Sequence, residues 1–117
     1  MAIYANLSID QGATFTSIVS VKTPDGFPFD LTDYTVEGQV RKSYFSTTSI
    51  PFDIVISNAV AGTISLELGA TVTATLKPGR YVYDILIKNF STNEVIRVIE
   101  GQVEVNPGVT RENTSGT

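Results

Sequence analysis

The sequence predicts an all-β protein, a single antiparallel sandwich of two sheets with about seven strands and at most one short helical turn. Three observations lead there. Apolar residues recur at alternate positions over most of the chain, which is the period of strands that turn one face to a core. Turn-forming segments, Thr23-Pro24-Asp25-Gly26, Lys77-Pro78-Gly79 and Ser91-Thr92-Asn93 among them, punctuate those runs. The 117 residues, 42% hydrophobic and 17% charged, suit one compact domain and leave no room for a second.

Ile3, Ala5, Leu7 and Ile9 alternate with Tyr4, Asn6, Ser8 and Asp10. Gln11-Gly12 then bends the chain into a strand over Thr14 to Val21, with Phe15, Val19 and Val21 on one face. Thr23 to Gly26 joins the fixed φ of proline to a permissive glycine and reads as a hairpin-type reversal. Pro28 removes a ladder donor, so Phe27 to Tyr34 is expected to cross between sheets through the polar corner Asp30-Leu31-Thr32-Asp33, which carries one buried leucine. Thr35 to Lys42 follows as a strand, Val36, Gly38 and Val40 inward, Glu37, Gln39 and Arg41 outward. Ser43 to Ser49 reads as a loop, and Pro51 keeps Ile50 extended.

Phe52 to Ile56 is a short strand, Ser57 to Gly62 a turn, and Thr63 to Leu68 a strand with Ile64, Leu66 and Leu68 inward. In Ala70 to Leu76 the i, i+4 pair Val72 and Leu76 favours a helix while three threonines oppose it, which predicts one helical turn. Arg80 to Lys88 has the strongest alternation, with Tyr81, Tyr83, Ile85 and Ile87 against Val82, Asp84, Leu86 and Lys88. Val95 to Val105 closes a hairpin on it, Ile99, Val103 and Val105 inward. The sandwich is placed at residues 1–105 and a polar tail at 106–117, whose last seven residues bury too little to hold themselves in place. Such a succession is that of an immunoglobulin-like sandwich, although the cysteine pair and tryptophan of the antibody lineage are missing.

The same composition excludes chemistry. Without cysteine or histidine there is no disulfide, thiolate nucleophile, imidazole base or ordinary zinc site. A formal charge of −4 has the wrong sign for a surface that neutralises phosphates, so nucleic acid is not an expected partner. The start lacks a basic, apolar leader and no run approaches the ~18 apolar residues of a span, which predicts cytoplasmic synthesis and no membrane partner. The Asn-x-Ser/Thr triplets at Asn6, Asn89 and Asn113 read as by-products of a Ser/Thr-rich chain. Asp30 with Asp33, or Glu67 with Asp84, could pair as acid and base, but nothing in their spacing fixes such a site; turn capping and solubility explain them. No acidic loop of calcium-binding spacing occurs, and the scattered glycines do not make a phosphate loop. No catalytic residue, metal or cofactor is expected.

What remains is contact. Tyr44, Phe45 and Phe90 fall in loops, where an aromatic is either a lid on the core or an anchor for a partner. Ile3 to Ile9 offers an edge for β-augmentation with only Asp10 as a charge. Together with the ends of the chain, these make Ile3, Tyr4, Tyr44, Phe45, Phe90, Val109 and Arg111 the candidate interface residues.

The ordered succession Asp10-Gln11-Gly12-Ala13-Thr14-Phe15, Asp25-Gly26, Phe29-Asp30-Leu31-Thr32-Asp33-Tyr34 and Gly38-Gln39-Val40-Arg41-Lys42-Ser43-Tyr44 continues in Gly62-Thr63-Ile64 and Leu76-Lys77-Pro78-Gly79-Arg80-Tyr81-Val82-Tyr83-Asp84. It ends in Glu100-Gly101-Gln102-Val103-Glu104-Val105 and Gly108-Val109-Thr110-Arg111. This sum, from about residue 5 to 111, resembles a small β-sandwich domain of tailed-bacteriophage virion proteins, some of them upper-baseplate modules that join fibres to the tail. It departs from that pattern at Thr71-Val72-Thr73-Ala74-Thr75, before Leu76. The resemblance implies a non-enzymatic virion component, docked in multiple copies on a symmetric scaffold of other virion proteins, in the tail or baseplate. Capsid decoration or a neck protein is the alternative, and a carbohydrate-binding host-contact module a more distant one. It carries over no catalytic residue.

Overall fold

The structure, a computed structural model, describes residues 3–109. The described residues form β1 (Ile3–Tyr4), β2 (Leu7–Asp10), β3 (Phe15–Ser20), β4 (Tyr34–Arg41), β5 (Ile50–Pro51), β6 (Asp53–Asn58), β7 (Thr63–Leu68), α1 (Ala70–Thr73), β8 (Gly79–Asn89) and β9 (Val95–Asn106). One sheet has the order β1-β9-β8-β4-β5, with β2 also on β9; the other is β3-β7-β6. In immunoglobulin lettering β3, β7 and β6 hold the B, E and D places, while β9, β8 and β4 hold G, F and C. The chain is an immunoglobulin-like sandwich.

Two features differ from the sequence expectation. Nine strands occur among the described residues rather than about seven, because the first run is interrupted at Ala5 and Asn6 and Ile50–Pro51 pairs briefly with β4. The sandwich is also not wholly antiparallel: β1 and β2 run parallel to β9, Ile3 beside Ile99 and Leu7 beside Val103. Alternation tells which face a residue takes but not which strand lies alongside, so this pairing left no mark in the pattern.

The remaining elements follow the periodicity. Ile64, Leu66 and Leu68 from one sheet meet Val40, Ile85, Ile87, Val103 and Val105 from the other, all buried, with Leu31 beneath the crossing segment. Val36 is only partly buried at the margin. On β9 both Val98 and Ile99 are buried, because a bulge opposite Ile85 and Leu86 shifts the phase of the strand there. The single helical turn is fastened by Thr73, whose hydroxyl donates to the Ala13 carbonyl (2.8 Å) and accepts from the Gly12 amide (3.1 Å).

Two aromatic devices hold the sandwich, which has neither the disulfide nor the tryptophan of an antibody domain. Phe52, where the chain passes from β5 to β6, lies 6.3 Å from the Phe15 ring and 6.0 Å, edge-on, from Tyr83, so one side chain links both sheets. At the start of β8 the Tyr81 hydroxyl donates to the Lys77 carbonyl four residues upstream (2.8 Å), the tyrosine corner of this fold. Gly38 faces Ile85 across β4 and β8, and a Cβ there would collide with the Ile85 side chain and the Asp84 carbonyl.

Ile85→Ala is expected to cost about 2–5 kcal/mol in urea unfolding, whereas Leu86→Ala, on the outer face, should cost far less. The reverse order would place β8 one residue out of register.

Candidate interaction surfaces

The carboxylates that sequence reasoning assigns to turn capping and solubility, rather than to acid and base pairs, are indeed not assembled into a site. Asp30 Oδ1 accepts from the Thr32 hydroxyl (2.6 Å) and the Thr32 amide (2.9 Å), which lower its pKa in that order. Asp33 adopts a left-handed conformation (φ 69°) and its carbonyl accepts from the Phe90 amide, 3.1 Å away. Both shape the corner. Glu67 lies on the outer face of the small sheet and Asp84 on that of the large sheet, where it pairs with Arg97 (3.1 Å), so the sandwich separates them. Among the described residues no three acidic side chains gather as a metal site would require.

The loop aromatics are a different matter. Ser43 to Ser46 forms a tight turn: the Ser46 amide donates to the Ser43 carbonyl (3.2 Å) and the Ser43 amide to Ser46 Oγ (3.1 Å). Arg41, at the end of β4, ties the turn down, Nη1 donating to the Ser46 carbonyl (2.6 Å) and Nη2 to Gln39 Oε1 (2.9 Å). Tyr44 and Phe45 occupy the tip, and Phe45 is 95% exposed. It covers no core. Tyr44 instead walls a cleft of about 190 Å³ on the outer face of the large sheet, with Gln39, Arg41, Val82, Asp84 and Arg97.

The other candidate residues do not join this turn. Phe90 is exposed on the β8–β9 hairpin, at the opposite end of β8 from Val82. Ile3 and Tyr4 are exposed on β1 along one edge of the large sheet. Val109 is exposed beyond β9. Arg111 and the rest of the tail from 110 lie outside the described residues.

The alternation gave no sign of how the edge with β1 is locked. Gly101 lies on β9 where β1 gives way to β2, and a Cβ on it would overlap the Ala5 carbonyl. That carbonyl accepts from the Tyr83 hydroxyl (2.5 Å), while the Ala5 amide donates to the Glu100 carbonyl (2.9 Å). Asn6 Oδ1 then accepts from the Gln102 amide (3.1 Å), bridging the break between β1 and β2. Burial, with a smaller contribution from the Tyr4 phenol, pushes the Tyr83 pKa up to about 12. Sequence reasoning also passed over Ile18 and Val55, apolar residues exposed on the outer face of the small sheet. The signal was present, since each lies on the polar side of its own alternation.

No family model matches the chain, and no curated protein matches it. Among solved structures it is similar to InlP of Listeria monocytogenes, at 19% identity and a TM-score of 0.47 over 90% of this chain and 28% of that one. It is also similar to a family 123 glycoside hydrolase from Clostridium perfringens, at 13% identity and a TM-score of 0.42 over 92% of this chain and 24% of that one. The chain thus spans about a quarter of either protein. Neither likeness bears on activity.

Because the fold favours the neutral phenol, Tyr83 contributes stability that is full below the free tyrosine pKa near 10 and is lost as pH rises through about 12. Tyr83→Phe should flatten the fall in urea midpoint over that interval while lowering stability by about 1 kcal/mol at neutral pH, where the Ala5 carbonyl loses its donor. An unchanged alkaline slope would contradict the assignment.

Proposed function

We propose that this chain is a non-enzymatic structural module that acts by protein–protein docking, as a tail, baseplate or fibre-attachment component of a tailed-phage virion. The virion reading is supported by the sequence resemblance set out above. The docking reading is supported chiefly by the Ser43–Ser46 turn. Holding an exposed aromatic on a hydrogen-bonded tip gives nothing to the core and supplies the kind of pre-ordered anchor that interfaces favour. Copy number per particle distinguishes a tail or baseplate position from capsid decoration or a neck ring.

The cleft beside Tyr44 favours a second reading, a carbohydrate-binding module, because it sets one aromatic face next to amide, carboxylate and guanidinium groups. The two readings separate on one residue: Phe45 lies outside that cleft lining, so sugar binding would require Tyr44 and tolerate Phe45→Ser.

In phage particles purified from a lysate that expresses the chain, it is expected to co-purify stoichiometrically. The Phe45→Ser variant should fold with native circular dichroism and be depleted at least about tenfold from particles, the loss of one strong anchor. A chain abundant in the lysate but absent from purified particles would contradict the reading.

A further inference from the structure

Among the described residues four strands or strand pairs end the two sheets, and three of them are guarded. The edge made by β1 and β2, expected from the sequence to be one continuous strand open to augmentation, is instead broken at Ala5 and Asn6 and closes on Asp10. β5 is two residues long and contains Pro51. β6 carries Asp53 and a register shift between Ile56 and Asn58. Charge, proline, brevity and bulges are the devices that keep edges from pairing. β3 has none of them: Phe15-Thr16-Ser17-Ile18-Val19-Ser20 is uncharged, free of proline and glycine, and paired in unbroken register with β7 alone among the described residues. In antibody-type sandwiches the first strand can occupy the place beside it; here β1 and β2 have gone to β9.

The backbone of β3 is aimed at that place, which no other described strand takes. Val21 donates to the Gly62 carbonyl (2.8 Å) at the end of the β3–β7 ladder. Because antiparallel bonding alternates, Phe15, Ser17 and Val19 bond to β7, and Thr16, Ile18 and Ser20 point their N–H and C=O groups outward. The inner-face residues Phe15, Ser17 and Val19 are themselves only half-buried, as the flank of an unfinished sheet would be. Ile18, mid-strand, is 75% exposed.

We propose that the β3 edge pairs with the β3 edge of a second copy of this chain, antiparallel about a two-fold axis at Ile18, joining the two small sheets into one six-stranded sheet. The occupant follows from the strand's self-complementarity. A two-fold axis normal to the sheet keeps faces together only if residues of like parity meet, and the Ile18 register does so. It sets Ile18 against Ile18 and Thr16 against Ser20, each as a doubly hydrogen-bonded pair made by the outward-pointing groups. Across the joined outer face, Val55, Ser65 and Ile18 of one copy continue into Ile18, Ser65 and Val55 of the other. The chain carries a formal charge of −4, which opposes self-association elsewhere, whereas β3 is neutral. This pairing rests on the fold alone and holds or fails whether or not the chain belongs to a virion.

Sedimentation velocity on the full chain from micromolar to about 1 mM, the range of modest interfaces, should show a monomer–dimer equilibrium. Ile18→Lys, exposed and harmless to the core, should retain native circular dichroism and weaken dimerisation at least about tenfold by setting like charges opposite each other. Facing residues in such a pair have Cα atoms about 5.5 Å apart, within disulfide range. As the chain has no cysteine of its own, oxidised Ile18→Cys should give a covalent dimer and Val55→Cys, on the same face but two strands away, should not. A wild-type chain that stays monomeric throughout, an Ile18→Lys variant that dimerises as well as wild type, or equal cross-linking at position 55 would each overturn the proposal.

Discussion

The architecture depends on where the first strand goes, and a small contact decides it. Gly101, lacking a Cβ, lets the Ala5 carbonyl come down onto β9, where it accepts the Tyr83 hydroxyl from β8. An alanine at 101 would drive the Ala5 segment away from β9, and a phenylalanine at 83 would leave the Ala5 carbonyl without that donor. With the contact made, β1 and β2 finish the large sheet at β9 and cannot lie beside β3. One choice therefore closes one sheet and leaves the other open.

Around that contact the domain holds its sheets together by aromatic packing instead of a covalent bond. Phe52 touches both Phe15 and Tyr83; Tyr83 in turn reaches Ala5. The cross-sheet core and the edge lock thus share one residue. The tyrosine corner at Tyr81 fixes the start of the same strand. Because β8 carries both tyrosines and pairs with β9 from Gly79 to Lys88 and with β4 from Val82 to Asn89, the large sheet is hydrogen-bonded on both sides of its central strand, and the Arg41-braced turn with Tyr44 and Phe45 extends from it.

The sequence was readable where period and burial coincide. Ile64, Leu66, Leu68, Ile85, Ile87 and Val103 are buried as their alternation requires, and the Asp30–Asp33 corner and the single helical turn fall where turn chemistry places them. Strand partners were not readable. The parallel course of β1 and β2 depends on a missing Cβ and a hydroxyl some 80 residues downstream, and neither leaves a periodic trace. The bulge at Val98 was visible in principle, as the phase change between Ile96, Val98 and Ile99, Val103. The tyrosine corner was too, as Tyr81 just past Pro78-Gly79. For the surface, the pattern singled out Tyr44 and Phe45 and the structure braces both on one turn, but Ile3, Tyr4 and Phe90 lie elsewhere. Ile18 was overlooked because an isolated apolar residue on a polar face means little until its strand is known to be an edge.

Amide hydrogen exchange followed by NMR, at a concentration where the chain sediments as a monomer, tests the placement of the first strand most directly. The amides of Ala5 and Gln11, bonded to Glu100 and Asn106 of β9, and those of Ser17 and Val19, facing β7, should be protected. Those of Thr16, Ile18 and Ser20 should exchange close to the rate of unbonded amides. Protection of Thr16, Ile18 and Ser20 in the monomer, with Ala5 and Gln11 exposed, would place the first strand beside β3 and contradict the account.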